Sequence, residues 1–251
     1  MGPSRHSLVL LNNGKSFSRG LICVPQAGGG AGVFHSWARA LEDTAAVWGV
    51  RLPGHESRVL ERPLTTIHAM ADALFAEARE LDLETLFLFG HCSGALIAYE
   101  LAHRLRADRS WLEKVSLRLL ISAQAPPMPS SAIRDPGVRA TVDVAEYLRA
   151  TGGTPDEVLN NSEMMALISP AVFADLVAVD HYHLPTDRPL LDIPLTVFSG
   201  DADRLLPDCV MEQWRSLCEG TFEKCVFESG HFYLRDQEDA VLRRIRHMLT
   251  T

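Results

Sequence analysis

Cys92 occupies a position from which a side chain could act as a nucleophile. It is the centre of the stretch GHCSG, with Gly90 and Gly94 two residues away on either side. A sharp strand-to-helix turn of the form G-x-Nuc-x-G presents its central side chain and needs small residues at both flanking positions. Ser93 fits less well, because its flanking small position would be His91. The spacing therefore predicts Cys92 as the nucleophile of a covalent mechanism.

A cysteine nucleophile needs a base, because a free thiol with a pKa of about 8.5 is only slightly ionised at neutral pH. With a G-x-Nuc-x-G turn, an acid and then a histidine follow the nucleophile along the chain. The loop SGHFYL, after the last strand pattern, supplies His231. Asp201 and Asp203 both follow the strand pattern LTVFSG. We expect Asp203 to orient His231, because the chain has turned further by that residue, and Asp201 is the second choice.

Two backbone N–H groups should stabilise the oxyanion that forms when a nucleophile attacks a carbonyl carbon. The residue after the nucleophile, Ser93, is expected to supply one of them. The glycine-rich stretch VPQAGGG follows an early strand pattern and can bring its amides close to a substrate. Gln26 is the first choice for the second donor, and Ala27 is the second choice.

Short strand patterns alternate with helical patterns along most of the chain, which predicts an α/β fold with a mostly parallel central sheet flanked by helices. The predicted strands are GLICVP, AAVWGV, TLFLFG, SLRLLISAQAP, IPLTVFSG and TFEKCVFE. Helices are predicted after the glycine-rich stretch, over about 67–81, after the Cys92 turn, near CVMEQWRSL and over about 236–249. These elements would place the nucleophile, the acid and the histidine at the carboxyl edge of the sheet.

Residues 126–190 break the alternation, because prolines separate short helical pieces that show no clear strand pattern. We interpret this segment as a helical lid inserted into a single domain that covers residues 1–251. Apolar side chains in the lid are expected to be buried against the sheet or against each other. They are Leu148, Met164, Met165, Leu167, Ile168, Phe173, Leu176 and Val177.

Composition argues against several classes of protein, namely nucleic-acid-binding, disulfide-rich and membrane-spanning proteins. The net charge of −8 argues against nucleic-acid binding. The five cysteines include no C-x-x-C pair, which favours a reducing compartment over a disulfide framework. The sequence has no clear secretory signal and no apolar run approaching the roughly 18–20 residues of a membrane span. These features predict a soluble cytoplasmic protein that acts on neither nucleic acid nor membrane.

Two further patterns give little support for a cofactor or metal site. The stretch AGGGAG would match G-x-G-x-x-G only if Val33 were glycine. His181 and His183 could share a face, but no third ligand accompanies them. His55, in LPGHESR, has no H-E-x-x-H partner and is interpreted as a loop residue near the site. The prediction is that the protein carries no metal and no bound cofactor.

Several blocks together resemble type II thioesterases, the stand-alone α/β-hydrolases that accompany polyketide and nonribosomal peptide synthases. These blocks are LICVPQAGGGAGVFHSWA, VRLPGHESR, GHCSGA, TGGTPDEVL and SGHFYL. The resemblance implies an α/β-hydrolase fold and hydrolysis of acyl groups from the phosphopantetheine arm of an acyl or peptidyl carrier protein. We also expect the protein to be a monomer. By the family pattern Cys92 takes the nucleophile position, usually serine, with His231 as the base and Asp203 as the orienting acid.

Cysteine at the nucleophile position leaves more than one reaction open. Attack on a thioester would exchange it for another thioester, so the acyl-Cys enzyme would remain activated. Water could release the acyl group, or an amine or internal hydroxyl could accept it, which would make the protein an acyltransferase or a cyclising release enzyme. The sequence is also compatible with a carboxylesterase, and with an inactive Cys variant that only binds or traps acyl chains.

Overall fold

The computed structural model describes residues 6–12, 17–127 and 143–251. These residues form a seven-stranded sheet with the strand order β1-β3-β2-β4-β5-β6-β7. Strand β1 pairs antiparallel with β3, and every other pairing is parallel. The strands are β1 Leu8–Leu10, β2 Arg19–Val24, β3 Ala46–Val50, β4 Thr85–His91, β5 Ser116–Ser122, β6 Leu195–Gly200 and β7 Phe222–Phe227.

Helices connect the parallel strands and cover both faces of the sheet. They are α1 His35–Ala40, α2 Ile67–Ala78, α3 Ser93–Ala107, α4 Arg109–Leu112, α5 Val144–Thr151, α6 Asp156–Leu159, α7 Ser162–Asp180, α8 Asp208–Met211, α9 Tyr233–Asp236 and α10 Glu238–Thr250. Short 3-10 turns precede α1, span Glu56–Arg58 and follow α8.

The central strand β4 shows why this sequence forms a sheet buried on both faces. Leu86 and Leu88 point into the core shared with α2 and α3, whereas Phe87 and Phe89 point into the core shared with α1 and α10. Successive strand side chains point to opposite faces, so an unbroken apolar run fills two cores at once. The end of β4, and therefore the turn at Cys92, is held rigidly from both sides.

The predicted α/β class and parallel sheet are confirmed, and the differences lie in short elements. Strand β1 was missed because three residues are too few to show an alternation. It is held at the sheet edge by pairing with β3 and by the Glu77 carboxylate, which accepts hydrogen bonds from the Ser7 and Leu8 amides. The helix predicted at CVMEQWRSL is the short α8 followed by a 3-10 turn, Glu212–Leu217.

Helices α5, α6 and α7 lie between β5 and β6, in the segment predicted to be a lid. They share a small core in which Leu148, Leu159 and Val172 are buried. The single domain with an insertion over 126–190 stays a prediction, and residues 128–142 of that insertion lie outside the described residues.

The expected burial of the lid's apolar residues was partly wrong. Met164, Leu167 and Phe173 are 43%, 50% and 42% exposed. The buried face of α7 is built instead from alanines together with Val172 and Asp175, which contact the loops after β2 and β3. Periodicity could not identify that face, because apolar residues surround the whole helix.

Although no uninterrupted apolar run approaches the length of a membrane span, α7 is, within the described ranges, the one helix with the overall length and apolar composition of such a span. Such a signal from a single helix is weak, since helices packed within a protein produce it as well. Here the buried face of α7 carries a carboxylate, that of Asp175, which hydrogen bonds to two other segments of the chain.

The buried carboxylate of Glu100 in α3 binds the segment that follows α7. Glu100 of α3 accepts hydrogen bonds from Tyr182 Oη and Arg188 Nη2, each at 2.6 Å. Arg104 Nη1 and His68 Nδ1 lie 2.5 and 3.0 Å from its other oxygen. Burial alone would raise the pKa of Glu100, but the hydrogen bonds from Tyr182 and Arg188 bring it down to about 2.

We expect Glu100→Gln to lower the free energy of unfolding by about 3 kcal/mol, because it leaves buried cations without their counter-charge. The carboxylate's stabilisation is fully present above its unfolded pKa, about 4.3, and is lost as the pH falls toward 2. Urea unfolding at pH 7 and pH 3 measures both effects. The exposed residue Glu157, changed to Gln, is the matched control, and equal midpoints for the two variants at pH 7 would contradict the prediction.

Candidate active site

Cys92 lies in the turn between β4 and α3 and has φ 53° and ψ −128°. A positive φ is strained for a non-glycine residue and marks sites where surrounding structure fixes the backbone. The Cys92 amide donates to Ser122 O at 2.8 Å, and its carbonyl accepts from Ala95 N at 2.9 Å. These bonds from β5 and α3 hold the strained turn in place.

The two flanking glycines are required by close backbone contacts. A Cβ at Gly90 would lie 2.3 Å from the Gly94 carbonyl oxygen. A Cβ at Gly94 would lie 2.4 Å from the carbonyl oxygens of Val24 and Pro25, at the end of β2. The G-x-C-x-G spacing thus brings the nucleophile turn against the loop that follows β2.

His231 contacts Asp203 and lies close to Cys92. Its Nδ1 lies 2.7 Å from Asp203 Oδ2, and Cys92 lies close enough to the same imidazole to raise its pKa. Because Nδ1 is engaged by the carboxylate, Nε2 is the nitrogen left to exchange a proton with sulfur. The structure therefore brings together the three side chains that the sequence analysis selected.

The charges at this contact favour a protonated imidazole. Burial would lower the pKa of His231, but the Asp203 carboxylate and the Cys92 sulfur raise it to about 9. For Asp203, burial opposes ionisation, but the contact with His231 outweighs it and lowers the carboxyl pKa. The Leu205 and Leu206 amides donate to Asp203 Oδ1 at 2.9 and 3.0 Å and fix the carboxylate plane.

The second candidate acid, Asp201, has a different partner. It is exposed, and its Oδ1 accepts a hydrogen bond from the Ser229 amide at 3.1 Å. Asp203, in contrast, is 7% exposed and faces His231. The geometry favours Asp203 over Asp201 as the residue that orients the imidazole.

The expected oxyanion donors lie on two neighbouring backbone segments. Ser93 is the first residue of α3, so its amide is one of the helix N-terminal donors without an intrahelical acceptor. Gln26 begins a tight turn in which its carbonyl accepts from Gly29 N at 2.8 Å. Gly28, at the third position of that turn, has φ +73°, as a type II turn requires. Ala27 is the second residue of that turn.

Sequence reasoning missed Tyr147 as a residue of the site. It lies on α5, and its hydroxyl is 3.9 Å from Cys92 Sγ, so α5 of the predicted lid reaches the nucleophile. The only sequence signal was an aromatic residue in an amphipathic lid helix, which is equally typical of a residue that packs in a core. Its proximity to Cys92 depends on how α5 packs, which the local sequence does not specify.

Two cavities near the nucleophile turn share part of their lining, although Cys92 itself lines neither. One, of about 140 Å³, lies under the lid and is lined by Tyr147, Leu148, Ile168 and Val172 among others. The second, of about 220 Å³, has aromatic walls and Arg235 and Glu238 at its edge. Gln26, Gly153 and Phe232 line both cavities, and His91, the neighbour of Cys92, lines the second.

His55 lies in the loop after β3, as predicted, and lines a pocket with Gln26 and Ser93, but it is not a surface residue. It is 4% exposed, and its Nε2 lies 2.9 Å from Asp175 Oδ2 on α7. No group of His, Cys, Asp and Glu side chains suited to a metal ion was found among the described residues, which include His181 and His183.

A parallel sheet with a strained nucleophile turn after β4, an acid after β6 and a histidine after β7 defines an α/β-hydrolase fold. A model of the family described as "Thioesterase domain" matches residues 19–249. The chain therefore belongs to the thioesterase family, as the sequence blocks indicated.

Individual relatives are similar over nearly the whole chain. Gramicidin S biosynthesis protein GrsT of Aneurinibacillus migulanus is 31% identical over 218 residues, which cover 87% of this chain and 84% of that protein. Thioesterase PikA5 of Streptomyces venezuelae is 30% identical over 235 residues, 92% and 81% of the two chains. The solved structure of BorB, a type II thioesterase from the borrelidin biosynthetic cluster, superimposes with a TM-score of 0.83 at 32% identity and covers 96% of this chain and 97% of its own.

Proposed function

We propose that this protein is a thioesterase that hydrolyses acyl groups from the phosphopantetheine arm of carrier proteins through an acyl-Cys92 intermediate. The single observation that carries the proposal is the placement of His231, whose Nδ1 lies 2.7 Å from Asp203 Oδ2 and whose pKa is raised by the neighbouring Cys92. A protein that only binds acyl chains would have no use for a buried acid and a histidine aligned with a cysteine.

Acylation of the enzyme begins from the Cys92–His231 pair. The pKa of His231 is raised to about 9, so the imidazole is protonated at pH 7, and in the proposed mechanism this cation stabilises Cys92 when it attacks as a thiolate. The thiolate attacks the thioester carbonyl carbon, and the amides of Ser93 and Gln26 stabilise the resulting oxyanion. As the bond from carbon to the pantetheine sulfur breaks, His231 gives its proton to the departing thiolate, which leaves acyl-Cys92.

Hydrolysis of the acyl enzyme uses the same groups in the opposite direction. Once Cys92 is acylated its negative charge is gone, so one of the groups that raise the His231 pKa is lost. Neutral His231 then removes a proton from water, and the hydroxide attacks the acyl-Cys carbonyl. The Cys92 sulfur leaves, the carboxylic acid is released, and the net reaction is a thioester plus water giving an acid plus free pantetheine thiol.

The two cavities suit the two branches of a thioester. The acyl chain and the pantetheine arm diverge from one carbonyl carbon, so a site for both needs two channels near the nucleophile. The cavity under the lid has an apolar wall formed by Leu148, Ile168 and Val172, which suits an acyl chain. The second cavity, with Arg235 at its edge, suits the polar arm and its phosphate.

The relatives support carrier proteins as partners. YbtT, whose solved structure has a TM-score of 0.76 and 26% identity to this chain, is a type II thioesterase from the Yersiniabactin NRPS/PKS pathway. In such pathways acyl groups travel as thioesters on acyl or peptidyl carrier proteins. We extend this partnership to the present chain and propose that it acts as a cytoplasmic monomer, without a cofactor of its own.

Acyl transfer is the second candidate, favoured by the identity of the nucleophile. Acyl-Cys92 is itself a thioester, close in energy to the substrate, so an amine or an internal hydroxyl could accept the acyl group in place of water. The protein would then be an acyltransferase or a cyclising release enzyme. A carboxylesterase is distinguished by comparing an oxyester and a thioester of the same acyl group.

Intact mass spectrometry tests the proposal directly. The protein is mixed with an acyl-pantetheine thioester, and its mass is followed over time beside that of Cys92→Ala. We expect an acyl adduct that requires Cys92 and decays in water as free acid appears. An adduct that persists until an amine is added would favour acyl transfer, and equal behaviour of the two proteins would refute the mechanism.

A further inference from the structure

Asp175 of the lid helix α7 is a buried carboxylate that the proposed reaction does not use. It is 6% exposed. Its Oδ2 accepts two hydrogen bonds, from the Gly28 amide at 2.8 Å and from His55 Nε2 at 2.9 Å. One oxygen atom therefore joins the lid to the loop after β2 and to the loop after β3.

The burial of Asp175 makes its carboxylate depend on these two hydrogen-bond donors. Its second oxygen, Oδ1, is buried and has no hydrogen-bond partner among the described residues. A buried carboxylate is costly unless it is paired and hydrogen bonded. His55 is fixed from its other side, where Nδ1 lies 3.1 Å from Pro53 O, and although burial opposes it, contact with Asp175 raises its pKa. The cost of burying the Asp175 carboxylate is thus offset only when α7 packs against both loops.

Gly28 belongs to the turn that carries the Gln26 amide. The turn is closed by the bond from Gly29 N to Gln26 O, at 2.8 Å. A Cβ at Gly28 would lie 2.4 Å from Val172 Cγ2, one turn of α7 before Asp175. Helix α7 therefore meets the turn through an apolar contact at Val172 and a hydrogen bond at Asp175.

We propose that Asp175 is a positioning residue that couples the lid helix to the oxyanion hole, because it fixes the Gln26–Gly29 turn through the Gly28 amide. This inference rests on the proposed function, in which Gln26 N–H stabilises the oxyanion. The oxyanion hole is then complete only when α7 occupies the position seen here, with His55 as the brace that holds the carboxylate.

Two reactions of the same cysteine separate this role from a general structural one. Thioester hydrolysis passes through an oxyanion, whereas alkylation of Cys92 by iodoacetamide is a displacement at a saturated carbon and forms none. A change that only displaces the oxyanion donor slows the first reaction and spares the second. A change that disturbs the whole site slows both.

We expect Asp175→Ala to lower kcat for an acyl-pantetheine thioester roughly 10- to 100-fold, with KM within about 2-fold, because the donor is displaced and not deleted. Alkylation at Cys92, followed by peptide mass against the exposed Cys209 as an internal reference, should stay within about 2-fold of wild type. Asp175→Asn should restore most of kcat, since its amide oxygen can replace Oδ2 while its NH₂ takes the place of the unpartnered oxygen.

Two further variants complete the test. Glu163→Ala, on the exposed first turn of the same helix, is the control and should keep full activity. His55→Ala removes the second donor to Asp175 Oδ2 without touching the turn. It should lower kcat in the same direction as Asp175→Ala, which keeps the test open if Asp175→Ala does not fold. Unchanged kcat in folded Asp175→Ala and His55→Ala, or parallel losses of hydrolysis and alkylation, would overturn the inference. Failure of the wild-type protein to hydrolyse the thioester would refute the proposed function instead.

Discussion

His231→Ala is expected to lower kcat for an acyl-pantetheine thioester by about 10⁴-fold or more, because nucleophile and base act as one unit. The imidazole both stabilises the Cys92 thiolate and protonates the departing pantetheine sulfur. Its removal also leaves the buried Asp203 carboxylate without its partner, which is 2.7 Å away in the wild type. Steady-state kinetics with thiol detection measures the loss.

The control for this variant is another histidine of the same chain. His181 is exposed at the end of α7, so His181→Ala should keep kcat within about 2-fold of wild type. Iodoacetamide should also alkylate Cys92 more slowly in His231→Ala at neutral pH, since the thiolate has lost its stabilising cation. A His231→Ala protein that retains a tenth or more of the wild-type kcat would exclude His231 as the base.

The order of nucleophile, acid and histidine along the chain allowed these three residues of the candidate site to be predicted. Glycines two residues before and two residues after a central residue, as at Gly90 and Gly94, are typical of a nucleophile turn and of few other structures. An acid and a histidine follow at the ends of later strands. Because carboxyl ends of parallel strands lie at one edge of a sheet, recognising the strands was enough to bring Cys92, Asp203 and His231 together.

Contacts between distant segments were not predictable in the same way. The sequence around His55 and Asp175 shows only a loop histidine and a carboxylate in an apolar helix, and nothing local records that they meet. The orientation of α7 depends on this contact and on Val172 against Gly28, so its exposed apolar residues could not be told from its buried ones. Tyr147 was missed for the same reason, because its neighbour Cys92 is supplied by a different part of the chain.

The glycine-rich loop illustrates both cases. Its flexibility suggested an oxyanion role, but the structure shows why particular glycines are needed. The Glu56 carboxylate accepts a hydrogen bond from the Gly32 amide at 2.7 Å and would collide with a side chain at Gly30. Together with Asp175 on Gly28, this carboxylate fixes the loop from its two ends.

Asp203→Asn, with Asp201→Asn as its control, distinguishes two carboxylates that lie two residues apart. We expect Asp203→Asn to lower kcat on the order of 10³-fold, because the amide NH₂ faces His231 Nδ1 and favours the wrong tautomer. The loss should be smaller than the about 10⁴-fold known for a serine nucleophile, since the Cys92 charge also favours protonated His231. Asp201→Asn should lose less than about 2-fold, because its partner is the Ser229 amide.

The pH dependence of acylation is a second, independent test of the role of Asp203. Acylation needs the proton on His231, so its rate should fall as the pH rises through about 9 in the wild type. Asp203 is one of the groups that raise this pKa, so Asp203→Asn should move the alkaline limb to lower pH, and Asp201→Asn should leave it in place. Single-turnover rates of thiol release between pH 6 and 10 measure the limb. An alkaline limb that stays near pH 9 in Asp203→Asn would show that the carboxylate does not act through His231.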